Sequence, residues 1–302
     1  MKKRSRLLGI LTTFLIVLGV FSVVRVLNEL THPAAGAGFP VRHLISAVAW
    51  FLLAWLVSRW RSRGSAPEIP AGEEALALQK AIGLPYKFLS EKVPPDTLLR
   101  FFKRTLKEAA EQGFSPVLVP VDPAWEEALR SRSPETPEAL LSQLPEDGKA
   151  VLERRWEAFC SHLPAETGAP AGGDEIHQFV SCKDPVTGSP RDVLLLRAPT
   201  GEPWQLPAYV PAEEGVSRPE PRELLAVCRY WYETYRAVPA VIFRDGMEFL
   251  LPRTIPKEIA GAVAREHCAF CPGRLKDEGG PSTVEALADS LWKSNIWYFR
   301  WE

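Results

Sequence analysis

Hydrophobic positions along this chain fall into two regimes. Two long uncharged runs come first, and short periodic segments fill the rest. Leu7–Val24 is eighteen residues without a charge. As a helix it would be about 27 Å long, close to the roughly 30 Å of a bilayer's hydrocarbon. Leu44–Ser58 is a second uncharged run of fifteen residues, about 22 Å as a helix. His43, Arg59 and Trp60 could extend it by snorkelling and interfacial anchoring. Lys2, Lys3, Arg4 and Arg6 flank the first run, and Arg59, Arg61 and Arg63 the second. The segment between them holds only Arg25 and Arg42. That bias predicts a two-pass hairpin over residues 1–63 in the inner (plasma) membrane, with both termini cytoplasmic. The lipid bilayer is then a partner. A cleaved signal peptide ending near PAAGAG is the alternative.

Gly64–Gly72 (GSAPEIPAG) reads as a linker. Beyond it the periods change. Glu73–Ile82 predicts a short helix. Asp96–Gln112 predicts a longer one, with Asp96 as N-cap and Gly113 as C-terminal stop. Phe114–Val121 reads as a buried strand, and broken helical sequence runs from Ala124 to His162. Ala165–Gly173 is a second linker-like stretch, so residues 73–165 and 171–302 are expected as two sub-parts. In the second, Ile176–Cys182 and Asp192–Leu196 predict a hairpin around PVTGSP. Pro219–Arg236 predicts a helix with one wide apolar stripe. Val238–Phe243 and Met247–Leu251 predict strands joined by a tight Asp245-Gly246 turn. Pro256–Ala269 and Ser282–Trp292 predict helices, the latter with Ser282 and Glu285 as a capping box. Ile296–Trp301 closes as a strand, with Trp297, Phe299 and Trp301 on one face. The expected fold class is α+β (mixed α/β), preceded by the transmembrane hairpin.

Composition narrows the function classes. The net charge of −1 hides an asymmetry: residues 1–63 carry +8 and the remainder −9. An acidic body lacks the cationic surface that a general nucleic-acid binder needs. The five cysteines, Cys160, Cys182, Cys228, Cys268 and Cys271, are an odd number and read as reduced thiols.

The last third resembles a bacterial family known as domain-of-unknown-function family 4253. The resemblance is carried by ELLAVCRYWYETYRAVP (223–239), DGMEF (245–249), AREHCAFCP (264–272), VEALADSLWKSNIWYF (284–299) and the terminal RWE. Together they cover about residues 217–302. Family members tend to have Gly-Ala where this chain has Arg236-Ala237, Asp where it has Gly273, and a W-x-F-W-W-D tail where it reads WYFRWE. The resemblance implies fold class and domain limits; it brings no activity with it.

Candidate chemistry lies in the same third. Asp245, Glu248 and Glu266 could serve as acid and base if burial separates their pKa values; the competing accounts are a hairpin turn, a half-exposed strand, and a solvated helix face or ion pair. Trp231, Tyr235, Trp297, Trp301 and Glu302 are candidates for a binding surface, because aromatic residues dominate interface hot spots; an ordinary core is the competing account. Cys268 and Cys271 form a C-x-x-C, but at a predicted helix C-terminus, where the dipole opposes a thiolate. They are weak metal or thiol candidates, since zinc needs four ligands. There is no phosphate-binding glycine loop and no G-x-S-x-G elbow, and no cofactor is implied. Three functions are expected in turn. The first is a membrane-anchored protein-interaction or regulatory module of an immunity-protein kind, with a protein partner and no nucleic acid. The second is a hydrolase-like enzyme using the acids. The third is a metal or thiol site.

Overall fold

The computed structural model describes residues 17–24, 45–46, 48–50, 52–53, 70–131, 135–144, 147–160, 175–213, 217–275 and 281–301. The chain divides into two compact units, Met1–Glu68 and Ile69–Glu302.

In the first unit the described residues are helical, and Ser22 Oγ donates to the Leu18 carbonyl at 3.0 Å. Among the described residues no helix is long and apolar enough to cross a membrane. The rest of Leu7–Val24 and of Leu44–Ser58 lies outside the described residues. The expected transmembrane hairpin and the two-pass inner-membrane location are corrected accordingly. An uncharged run measures apolar length in sequence; it does not by itself fix helix length.

The second unit is built on one six-stranded sheet. Its elements run α1 (Glu73–Ile82), β1 (Tyr86–Leu89), α2 (Pro95–Gln112), β2 (Ser115–Pro120), α3 (Pro123–Ser131), α4 (Pro137–Leu141) and α5 (Gly148–Cys160). Then follow β3 (Val193–Ala198), α6 (Leu206–Tyr209), α7 (Pro221–Tyr235), β4 (Val238–Phe243), β5 (Gly246–Leu250), α8 (Ala260–Phe270), α9 (Val284–Leu291) and β6 (Ile296–Arg300). The strand order is β1-β3-β2-β4-β5-β6. All neighbours are antiparallel except β2 and β4, which are parallel with Leu118 opposite Val241. Strands from both sides of the linker-like stretch 165–173 therefore hydrogen-bond in one sheet.

Local chemistry accounts for the element ends. α1 and α2 stop at Gly83 and Gly113, both left-handed (φ 78° and 71°), a conformation glycine adopts without a Cβ clash. α2 begins one residue before Asp96, with Pro94 at the N-cap and Pro95 in its first turn. α9 is capped by Thr283, whose hydroxyl accepts from Ala286 N–H at 3.1 Å; Ser282 is not the cap. At the β4–β5 turn a Cβ on Gly246 would stand 2.3 Å from the Phe299 carbonyl oxygen, so only glycine lets β6 close against β5.

Both faces of the sheet are covered. Val117, Leu194, Ile242, Phe249, Trp297 and Phe299 point into a large core shared with α1, α3, α5, α7, α8 and α9. Leu118, Leu195, Val241, Leu250 and Ile296 point the other way, onto α2 and the segment 175–191. In that segment Phe179 meets Phe102 edge-on, with centroids 5.6 Å apart. The expected strand Ile176–Cys182 is absent, and only a single bridge, Lys183 to Pro190, survives of the expected hairpin. The backbone N–H groups of Val180 and Ser181 donate to a carboxylate instead of to a neighbouring strand.

Candidate functional site

That carboxylate is Glu248, on β5 between Met247 and Phe249. Strand alternation turns it away from the main core, towards segment 175–191, where it is fully buried. It accepts from Val180 N–H at 3.1 Å, Ser181 N–H at 2.7 Å and the Ser181 hydroxyl. Burial pushes its carboxyl up to about 7, although these donors and the Lys183 ammonium pull the other way. Beside it the Cys182 thiol is pushed up by burial and by the Glu248 charge.

Asp245 sits at the β4–β5 turn. Its Oδ2 accepts from Arg300 Nε at 2.9 Å, and its backbone oxygen accepts from Trp301 N–H at 2.7 Å. It ties the last strand to the hairpin. Glu266 lies on α8, across the sheet from Glu248. It accepts from Trp231 Nε1 at 2.8 Å, Tyr230 OH at 2.9 Å and Tyr235 OH at 3.4 Å. Burial raises its pKa against those three donors. Burial and the Glu266 charge in turn push the Tyr235 phenol up to about 12. The three candidate acids do not converge, so no acid–base pair forms among them.

The aromatic candidates do converge, inside the core. Trp231, Trp297 and Trp301 are 0, 0 and 3% exposed. Trp231 stacks on Phe299 at 5.4 Å and meets Phe270 edge-on at 4.8 Å. Trp301 Nε1 donates to the Phe270 carbonyl. Tyr235 is half-buried, 5.5 Å from the Trp297 ring. Glu302 lies outside the described residues. Within this cage sits His267, fully buried, with centroids 4.6 Å from both Trp297 and Phe299. Burial, helped by Arg274, holds its pKa well below the usual imidazole range.

Cys268 and Cys271 are both buried thiols, and Cys271 Sγ donates to the Arg300 carbonyl at 2.9 Å. Among the described residues no group of three or more His, Cys, Asp and Glu could hold a metal.

An open concavity lies elsewhere. A groove of about 290 Å³ runs between α8 and α9. Lys257, Gly261 and Arg265 line one wall; Ala288, Asp289 and Trp292 line the other. The Trp292 ring is half-buried and fixed. Its Nε1 donates to Asp289 Oδ1 at 3.0 Å, and the Lys257 and Lys293 ammoniums each stand 5.2 Å from its centroid. None of these residues belongs to a recognisable motif. The signal available in the sequence is Trp292 itself, one of the aromatic residues of the C-terminal part, for which an interface and a core are competing accounts.

The second unit is thus a mixed α/β protein whose buried acids and aromatic residues serve the interior, with a groove left open between two C-terminal helices. Residues 194–302 match the sequence model of a family described as Domain of unknown function (DUF4253). The match begins inside β3, earlier than the quoted segments implied. No curated protein and no solved structure matches the chain.

Proposed function

We propose that the second unit is a protein-interaction or regulatory module that works through the α8–α9 groove. One contrast carries this reading. Asp245, Glu248 and Glu266 are each engaged by donors from their own fold, whereas the groove presents a fixed aromatic ring and charged side chains to the outside. Tryptophan and arginine, both present here, are enriched at interface hot spots. The small residues Ala260, Gly261 and Ala288 let a partner's backbone come close.

The test is photocrosslinking in living cells. A photoreactive amino acid is placed at position 285, on the groove's rim, and separately at exposed position 103 on α2. A discrete protein adduct from position 285 alone is expected. No adduct, or the same adducts from both positions, would overturn the reading.

A further inference from the structure

The groove's chemistry narrows what could occupy it. Gly261 lies in α8, and a Cβ built on it would meet nothing within 4 Å. It is not among the glycines with positive φ. Neither packing nor backbone geometry demands glycine there, and glycine costs a helix about 0.5–1 kcal/mol relative to alanine. The bare backbone leaves space that the fold itself does not fill.

Charge is distributed unequally between the walls. On α9, the Asp289 carboxylate is already met by Lys293 Nζ at 2.7 Å and by the Trp292 indole. On α8, Arg265 is exposed and makes no hydrogen bond or ion pair among the described residues. Lys257 stands over the tryptophan ring and shares the Asp289 carboxylate with Lys293. Three cations, Lys257, Lys293 and Arg265, therefore outnumber the carboxylates of Glu285 and Asp289 around an aromatic anchor, in a chain whose residues beyond 63 carry a net charge of −9. Glu285 stands on the opposite rim, which disfavours a polyanion such as nucleic acid. A volume of about 290 Å³ admits one or two side chains of a peptide laid along two helices.

We infer that the groove takes an acidic, amphipathic segment of a partner protein. Its apolar side chain lies over Gly261 and Ala288 against the Trp292 ring, and its carboxylates meet Lys257 and Arg265. The inference rests on the interaction reading above and adds the partner's chemistry.

The experiment selects a phage library of random dodecapeptides on the full chain, with the Gly261→Leu chain as counter-target. Enriched peptides should pair an aromatic or large aliphatic residue with at least two acids. Their affinity, read by fluorescence anisotropy, should fall at least tenfold with Gly261→Leu and with Arg265→Glu, and should weaken with added salt. Gly261→Leu should not lower the melting temperature, since its side chain enters open space and leucine favours a helix over glycine; Arg265→Glu, at an exposed position, serves if that variant misfolds. Enriched peptides without acids, or binding unchanged in both variants, would overturn the inference. So would a dimer of the chain that Gly261→Leu dissolves, because a second copy would then be the occupant. If no peptide is enriched while position 285 still crosslinks to a protein, the acidic-peptide inference fails and the interaction reading stands. If both experiments are blank, both fall.

Discussion

Substituting Glu248 by glutamine should expose the buried carboxyl through the pH dependence of stability. The folded carboxyl is pushed up to about 7, against 4.5 for an unperturbed glutamate. Between those values the folded chain holds a proton that the unfolded chain has released. Stability from this group is therefore fully present below pH 4.5, and it falls as pH rises through the window to 7. The loss amounts to about 3 kcal/mol at one kcal-scale step per pKa unit. Glutamine does not titrate, so Glu248→Gln removes that slope. It also brings a cost at every pH. Its single oxygen can accept from Ser181, but its NH2 then confronts the Val180 N–H, leaving a buried donor without an acceptor at about 1–3 kcal/mol. The assay is urea unfolding of wild type and variant at pH 5 and pH 8, followed by tryptophan fluorescence. Glu248→Gln should be clearly destabilising at pH 5 and much less so, or stabilising, at pH 8. An equal difference at both pH values would refute a buried titrating carboxyl. A variant indistinguishable from wild type at pH 5 would refute the converging donors.

His267 should act with the opposite sign: below pH 6.5 the unfolded chain takes up a proton that the buried imidazole does not. His267→Phe should therefore gain stability relative to wild type as pH is lowered from 7 to 5 in the same unfolding assay, and a constant difference would contradict it. Trp231→Ala should cost about 3–5 kcal/mol, because the ring is fully buried and its Nε1 donates to Glu266; a thermal melt shifted by only a degree or two would be inconsistent with that packing. In a Cys160→Ser background, Cys182, Cys228, Cys268 and Cys271 should react with a thiol reagent only at the rate of unfolding, since all four are buried and thiolates are the reactive form. Rapid labelling of any one in native buffer would show that it is accessible.

Elements with strong periodicity or punctuation were legible in the sequence. β4 falls on its expected residues, and α1 and the glycine stop of α2 do too. β1 was missed because four residues, YKFL, are too few to show a period, and pairing with β3 is what makes them a strand. Segment 176–182 is expected as a strand, yet its Val180 and Ser181 amides are claimed by Glu248, a tertiary contact sixty-odd residues away. The same contact hides Glu248's setting: nothing local distinguishes a buried acid on a strand from an exposed one. The C-x-x-C and the aromatic residues were visible as types. Their burial depends on α5, α7 and α8 closing over them, which no local pattern reveals. The groove was illegible for a related reason. Arg265 and Trp292 line one groove only because α8 and α9 pack side by side, which no local pattern reveals.

The placement of β3 between β1 and β2 also imposes a timetable. Among the described residues β1 has no strand partner but β3, and β2 finds its antiparallel partner there as well. β3 is made about 70 residues after β2 ends, which at 5–20 residues per second is on the order of 4–14 s of synthesis. Throughout that interval a fully buried strand, SPVLVP, waits with its edges unpaired. During translation, then, the nascent chain is open to misassembly around residues 115–120, well before residues 194–302 have left the ribosome.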